Sequence, residues 1–238
     1  YQLTAQLNEK NNEIVGTAIV SYTNNSPDKM SFVWMNVDQN LFASDSRGNA
    51  VIPLTGSRNG ARGQIFDGGH KIKSVKVIMT TKGKVTEVDA KYIITDTRMQ
   101  VMLPQVLNAK GGSVKIKIDF SYISPKEGSD RTGVLDTKNG KIFTIAQWYP
   151  RMCVYDDIQG WNVNPYLGAS EFYLEYGDFD VNITAPSNHI VVCSGELVNP
   201  TAVYSTVEQN RLAKAKKSDK TVFIRTADEV SAGSNAVV

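Results

Sequence analysis

Alternation with period two dominates this chain. Across residues 113–122, Val114, Ile116, Ile118, Phe120 and Tyr122 share one parity, while Ser113, Lys115, Lys117, Asp119 and Ser121 take the other. Successive strand side chains point to opposite faces, so this stretch is predicted as a strand with one buried and one wet face. The same signature recurs at residues 3–7, 14–22, 30–37, 72–79, 84–94, 99–103, 142–148, 172–176, 179–184, 190–193 and 221–225. Most of these runs are rich in Val, Ile, Thr and aromatics and are bounded by Gly, Asn, Asp, Ser or Pro.

The connections fit that pattern. Asn24-Asn25-Ser26-Pro27-Asp28 carries turn chemistry, and Asn139-Gly140 is a hairpin signal. Residues 56–69, with five Gly and two Arg, read as an irregular loop. Only residues 205–217 suggest a helix, with Val207, Leu212 and Ala213 on one face and Thr206 as its cap. The expected fold class is therefore all-β and mainly antiparallel, a twisted β-sandwich or saddle with at most one or two short helices. With no internal repeat and no linker, residues 1–238 are expected to form a single domain.

Composition narrows the chemistry. Lys and Arg number 26 against 24 Asp and Glu, so there is no basic excess to neutralise a nucleic acid. No apolar run reaches the length of a membrane span. The chain has only two His, His70 and His189, each in a turn sequence and read as a surface turn residue, and no paired-histidine metal motif is possible. Cys153 and Cys193 read as buried structural thiols; whether they are free or bridged stays open. Residues 56–69 lack a phosphate-loop pattern, and no nucleophile-elbow motif occurs. Asp156-Asp157 and the group Glu171, Glu175, Asp178 and Asp180 could supply paired carboxylates, but a solvated strand face is the simpler reading. The basic positions Arg211, Lys214, Lys216, Lys217 and Lys220 read as a wet helix face. The opening Tyr1 and the loop-like final residues fit either a trimmed tail or a segment cut from a longer protein, and the ends alone do not decide between them.

The least generic stretch is residues 142–197. It crowds Trp148, Tyr149, Tyr155 and Trp161 into an irregular segment between strands, the kind of place where recognition groups sit. The run Gln147-Trp148-Tyr149-Pro150-Arg151-Met152, then Tyr155-Asp156-Asp157, Gly160-Trp161, Glu171-Phe172-Tyr173 and Gly177-Asp178-Phe179-Asp180-Val181, resembles the amino-terminal domain of aminopeptidase-N-like zinc metallopeptidases. This is the gluzincin aminopeptidase family, in the variant seen in bacteria such as the Bacteroidetes. Residues 3–37, 111–122, 194–197 and 218–222 extend the likeness.

The resemblance implies a non-catalytic β-rich domain that packs on a separate catalytic domain, its intramolecular partner. The family's H-E-x-x-H and G-x-M-E-N motifs lie beyond that domain, and neither occurs here. Zinc is thus expected in the parent protein, with no cofactor, metal ligand or catalytic residue in this chain, which alone is expected to be inactive. By position, Gln147 matches a Gln that lines the pocket for the amino-terminal residue of a peptide substrate. An amide can donate and accept there without the cost of a buried charge. Many relatives carry a polar or acidic side chain two positions later; here Tyr149 would offer a hydroxyl and an aromatic wall instead. An extracytoplasmic location, periplasmic or secreted, is implied by the same likeness. The alternative is a stand-alone β-sandwich module that binds protein or glycan through Trp148, Tyr149 and Trp161.

Overall fold

The computed structural model describes residues 1–51, 66–81, 84–126, 131–168 and 171–231. Most of the predicted loop at 56–69 and the final residues 232–238 lie outside them. The described residues gather into two compact units, one of residues 1–136 with 142–184, the other of residues 137–141 with 185–238.

In the first unit, β1 (Gln2–Asn8), β2 (Glu13–Asn24), β4 (Lys71–Thr81), β5 (Lys84–Asp89), β8 (Gly112–Ile123) and β14 (Asp180–Thr184) form a six-stranded sheet ordered β14-β1-β2-β8-β4-β5. A four-stranded sheet, β11-β3-β7-β6, is built from β3 (Met30–Asn36), β6 (Tyr92–Thr95), β7 (Arg98–Leu107) and β11 (Arg151–Met152). Two short pairs complete the strands of the described residues. The hairpin of β9 (Gly133–Thr137) and β10 (Gly140–Thr144) turns at Asn139-Gly140, with Gly140 at φ +110°, a value glycine reaches freely. A second small pair joins β12 (Tyr155–Asp156) to β13 (Gly160–Trp161). Every pairing of named strands is antiparallel except β1 with β14.

Alternation does what it promised in β8. Ile116, Ile118, Phe120 and Tyr122 are fully buried, while Lys115, Lys117 and Asp119 take the opposite face. They meet Leu3, Ile14, Ala18 and Val20 from the same sheet and Val33, Met35, Met99 and Val101 from the other, which makes a face-to-face sandwich core. Each such side chain contributes about 1.5–3 kcal/mol on leaving water. The Asn24 turn is likewise as read: its buried amide donates to the carbonyls of Asp28 and Asn108 and accepts from Ser26.

Several expectations are corrected. The run at 84–94 is two strands in two sheets, because the chain crosses between layers near Ala90, whose N–H donates to the Val75 carbonyl. The run at 142–148 stops as a strand at Thr144. Residues 172–176, 190–193 and 221–225 form no strand, and alternation without a neighbouring ladder leaves Val192 and Phe223 exposed. The second unit is instead helical: α2 (Pro200–Val203), α3 (Thr206–Ala215) and α4 (Ala227–Ser231) follow the short α1 (Arg47–Val51) of the first unit. Ser205, not Thr206, caps α3, because Ser205 is extended and exchanges hydrogen bonds with Glu208 in a capping box.

Candidate functional site

The segment from Ala146 to Val154 has no regular ladder until Arg151 and Met152 pair with Asn36 and Met35 of β3. Ahead of that pairing it is held by side chains. A 3-10 turn at Asp38–Phe42 directly follows β3 and supplies Asp38, Gln39 and Asn40. Gln39, buried, donates from Nε2 to the carbonyls of Ala146 at 2.8 Å and Gln147 at 3.2 Å. Asp38 and Arg151 form a buried ion pair, with Arg151 Nε at 2.9 Å from the Asp38 carboxylate and a second bond from its terminal nitrogen. The ring of Phe172 covers that guanidinium at 4.5 Å. Burial pushes the Asp38 carboxyl above its ordinary range, with Arg151 pulling against it.

His70 lies in the same layer and is buried, contrary to the surface turn its sequence suggested. Its backbone N–H donates to Asn40 Oδ1, and its Nε2 meets the Trp148 carbonyl at 3.2 Å. A carbonyl only accepts, so this contact assigns the ring proton to Nε2, while a second backbone group, of Val37, also meets the ring. Burial lowers the imidazole to about 4, leaving it neutral at physiological pH. His189, by contrast, sits in a turn, its N–H bonded to the Pro186 carbonyl.

Gln147 itself adopts φ +46°, in the left-handed region, where a residue with a Cβ is strained. Its side chain is half-buried, and among the described residues its amide makes no hydrogen bond although its own carbonyl is engaged. Tyr149 is half-buried in an aromatic group. Its ring packs edge-on against Trp148 at 5.0 Å, Tyr1 at 5.9 Å and Phe179 at 6.1 Å. Burial raises its hydroxyl above the usual range. Trp161 belongs to another group, with Tyr155 at 5.2 Å and Tyr22 at 6.1 Å. Trp148, Tyr149 and Trp161 all pack on the main core, so much of their surface serves as its lid.

The remaining candidates resolve into structural roles. Cys153 is buried and free, with burial pushing its thiol up to about 12; Cys193 is free but exposed, which corrects its reading as a strand-core residue. A thiol held at that value is a poor nucleophile. Asp156 organises a turn, accepting from the N–H groups of Ile158 and Gln159 and from Asn162. The carboxylates of Glu171, Glu175, Asp178 and Asp180 are exposed. Among the described residues no three His, Cys, Asp or Glu converge as metal ligands. No helix among the described residues is long and apolar enough to cross a membrane. A cavity of about 540 Å³ opens elsewhere, on the wet face of the six-stranded sheet, among Thr4, Gln6, Thr17, Ser74, Asp119 and Asn182.

Sequence reasoning missed Asp38, Gln39 and His70, although all three bind the segment it singled out. The only local sign was three polar residues, Asp38-Gln39-Asn40, directly after an apolar strand.

No family profile matches the sequence, and no curated protein matches it. Solved structures do. A point variant of an M1 zinc metallopeptidase from Deinococcus radiodurans, bound to a Tyr-Ser-Ala substrate, is 10% identical over 79% of this chain and 32% of its own, with a TM-score of 0.36. A two-domain M1 zinc metallopeptidase variant bound to L-tryptophan is 8% identical over 55% of this chain and 21% of its own, with a TM-score of 0.32. The unsubstituted Deinococcus radiodurans M1 enzyme gives 9% identity, 52% and 19% coverage and a TM-score of 0.30. This chain thus spans a fifth to a third of the length of these proteins.

Proposed function

We propose that this chain is the non-catalytic amino-terminal domain of a zinc-dependent aminopeptidase-like metallopeptidase. In this reading it packs on a catalytic domain of the same polypeptide and lines the cleft that receives the amino terminus of a peptide. The parent would act outside the cytoplasm, and the zinc, with the carbonyl polarisation and water activation it supplies, would belong to the catalytic domain.

One observation carries the reading. Gln147, in the motif that most resembles the family, sits on strained backbone, and among the described residues its amide has no hydrogen-bond partner. Strain of this kind is retained where surrounding structure enforces it, and such places concentrate at ligand sites. An uncommitted amide can accept from a substrate ammonium through Oε1 and donate to a peptide carbonyl through Nε2. Tyr149 would provide a wall beside it. The glycan- or protein-binding alternative gains less, since Trp161 is in a different aromatic group from Trp148 and Tyr149.

The test is kinetic. In the intact parent enzyme, Gln147→Ala is expected to raise KM for an aminoacyl arylamide roughly ten-fold, the worth of one charge-assisted hydrogen bond, with kcat little changed. An unaltered KM removes Gln147 from the site.

A further inference from the structure

Three successive carbonyls, of Ala146, Gln147 and Trp148, are taken by two buried side chains, Gln39 and His70. Among the described residues no backbone N–H outside the strands and helices bonds to them. The Gln39 amide cannot be turned over, because Oε1 would then face two carbonyl oxygens. As placed, Oε1 is buried without a partner among the described residues, an arrangement that costs stability.

A second cost sits next to it. Gln147 is strained at φ +46°, where a glycine would be comfortable. Asn12, Asp96, Lys110 and Arg131 also take positive φ, so the strain marks a site only together with what the residue carries. At Gln147 the strained position carries an amide, and among the described residues that amide has no hydrogen-bond partner. The orphaned Gln39 Oε1 and the strained Gln147 backbone lie on the two sides of one contact that spans 108 positions in sequence, and together they point to a fixed direction for that side chain.

The supports are themselves rigid. Gln39 belongs to the 3-10 turn directly after β3. His70 is tied to that turn through Asn40 Oδ1 at 2.8 Å, and its ring is held edge-on to Phe120 at 5.4 Å and Tyr122 at 5.6 Å. The loop is thereby referenced to both sheets of the sandwich.

We propose that Gln39 and His70 are positioning residues that hold Gln147 in its left-handed conformation and so set the direction in which its amide meets the amino-terminal group of a peptide. The inference rests on the substrate-facing reading of Gln147. Neither residue touches the substrate; both act through the carbonyls of residues 146–148.

Two measurements test it separately. In the 238-residue chain, NMR should find the Nε2–H tautomer of His70 and the backbone coupling of a left-handed Gln147. His70→Phe and Gln39→Met should each abolish the left-handed coupling, and His70→Gln, which keeps a donor, should restore it. A neutral Nδ1–H tautomer in the unsubstituted chain, or a left-handed Gln147 surviving in both Phe and Met variants, overturns the proposal. If those variants do not fold, the tautomer and the coupling in the unsubstituted chain decide. In the intact enzyme, His70→Phe should raise KM roughly ten-fold with kcat within about two-fold, and should add nothing to Gln147→Ala. Additive effects on KM overturn positioning. A silent Gln147→Ala overturns the substrate role while the NMR result still judges the clamp.

Discussion

At the scale of single residues, burial without a counter-charge governs His70. Its ring lies between Phe120 and Tyr122, and the partners of its imidazole are backbone groups. A depressed basic pKa means that the unfolded chain takes up a proton where the folded one does not. Stability from this source is complete above the ordinary value of 6.5 and is lost as pH falls from there to about 4. The window is worth about 3 kcal/mol at 1.36 kcal/mol per unit. Denaturation measured across this range should therefore show the unsubstituted chain losing about 3 kcal/mol relative to His70→Gln. Parallel profiles would refute the burial argument. No part of this was legible locally: Gly68-Gly69-His70 has the composition of a turn, and only the arrival of Phe120 and Tyr122 on β8 encloses the ring.

Elements were legible to different depths. Where a segment supplies its own partners, sequence suffices. Ser205 and Glu208 stand three apart, and the box they form needs nothing from elsewhere. Burial pushes Glu208 upward, but Ser205 and Arg225 outweigh it and hold the carboxylate below its ordinary range. Ser205→Ala should weaken α3 by about 1 kcal/mol. Glu208→Ala should cost more, since it also leaves the Arg225 guanidinium without its partner. Helical circular dichroism followed through thermal unfolding would check the order; equal effects would mean that the cap alone matters. Strands differ, because a ladder needs a neighbour. The runs at 84–94 and 172–176 alternate as well as β8 does, yet one divides between sheets and the other lends Phe172 to Arg151. Period two specifies faces and leaves the neighbour open.

For the molecule as a whole, the closeness of neighbouring strands in the six-stranded sheet sets the limits. A Cβ at Gly16 would come within 2.7 Å of Phe120 Cζ and 2.8 Å of the Thr4 carbonyl oxygen. The ring can shift slightly, but the carbonyl belongs to a paired strand. Gly16→Ala should therefore destabilise the fold by about 1–3 kcal/mol, read as a lower urea midpoint at unchanged slope. An unchanged midpoint would mean that β1 and β2 tolerate separation. The sequence by itself determined that this chain is a β protein, which parity of β8 faces inward, where α3 starts within a residue, and that residues 142–197 are its least generic stretch. Those properties depend on side chains a few positions apart. Tertiary structure alone decided that Gln39 reaches the carbonyl of Ala146, 107 residues away, that His70 reaches Trp148, 78 away, and that Asp38 finds Arg151, 113 away. Such polar pairings carry no periodicity. They are selected by which groups two packed layers leave without water, and that is settled only when the layers meet.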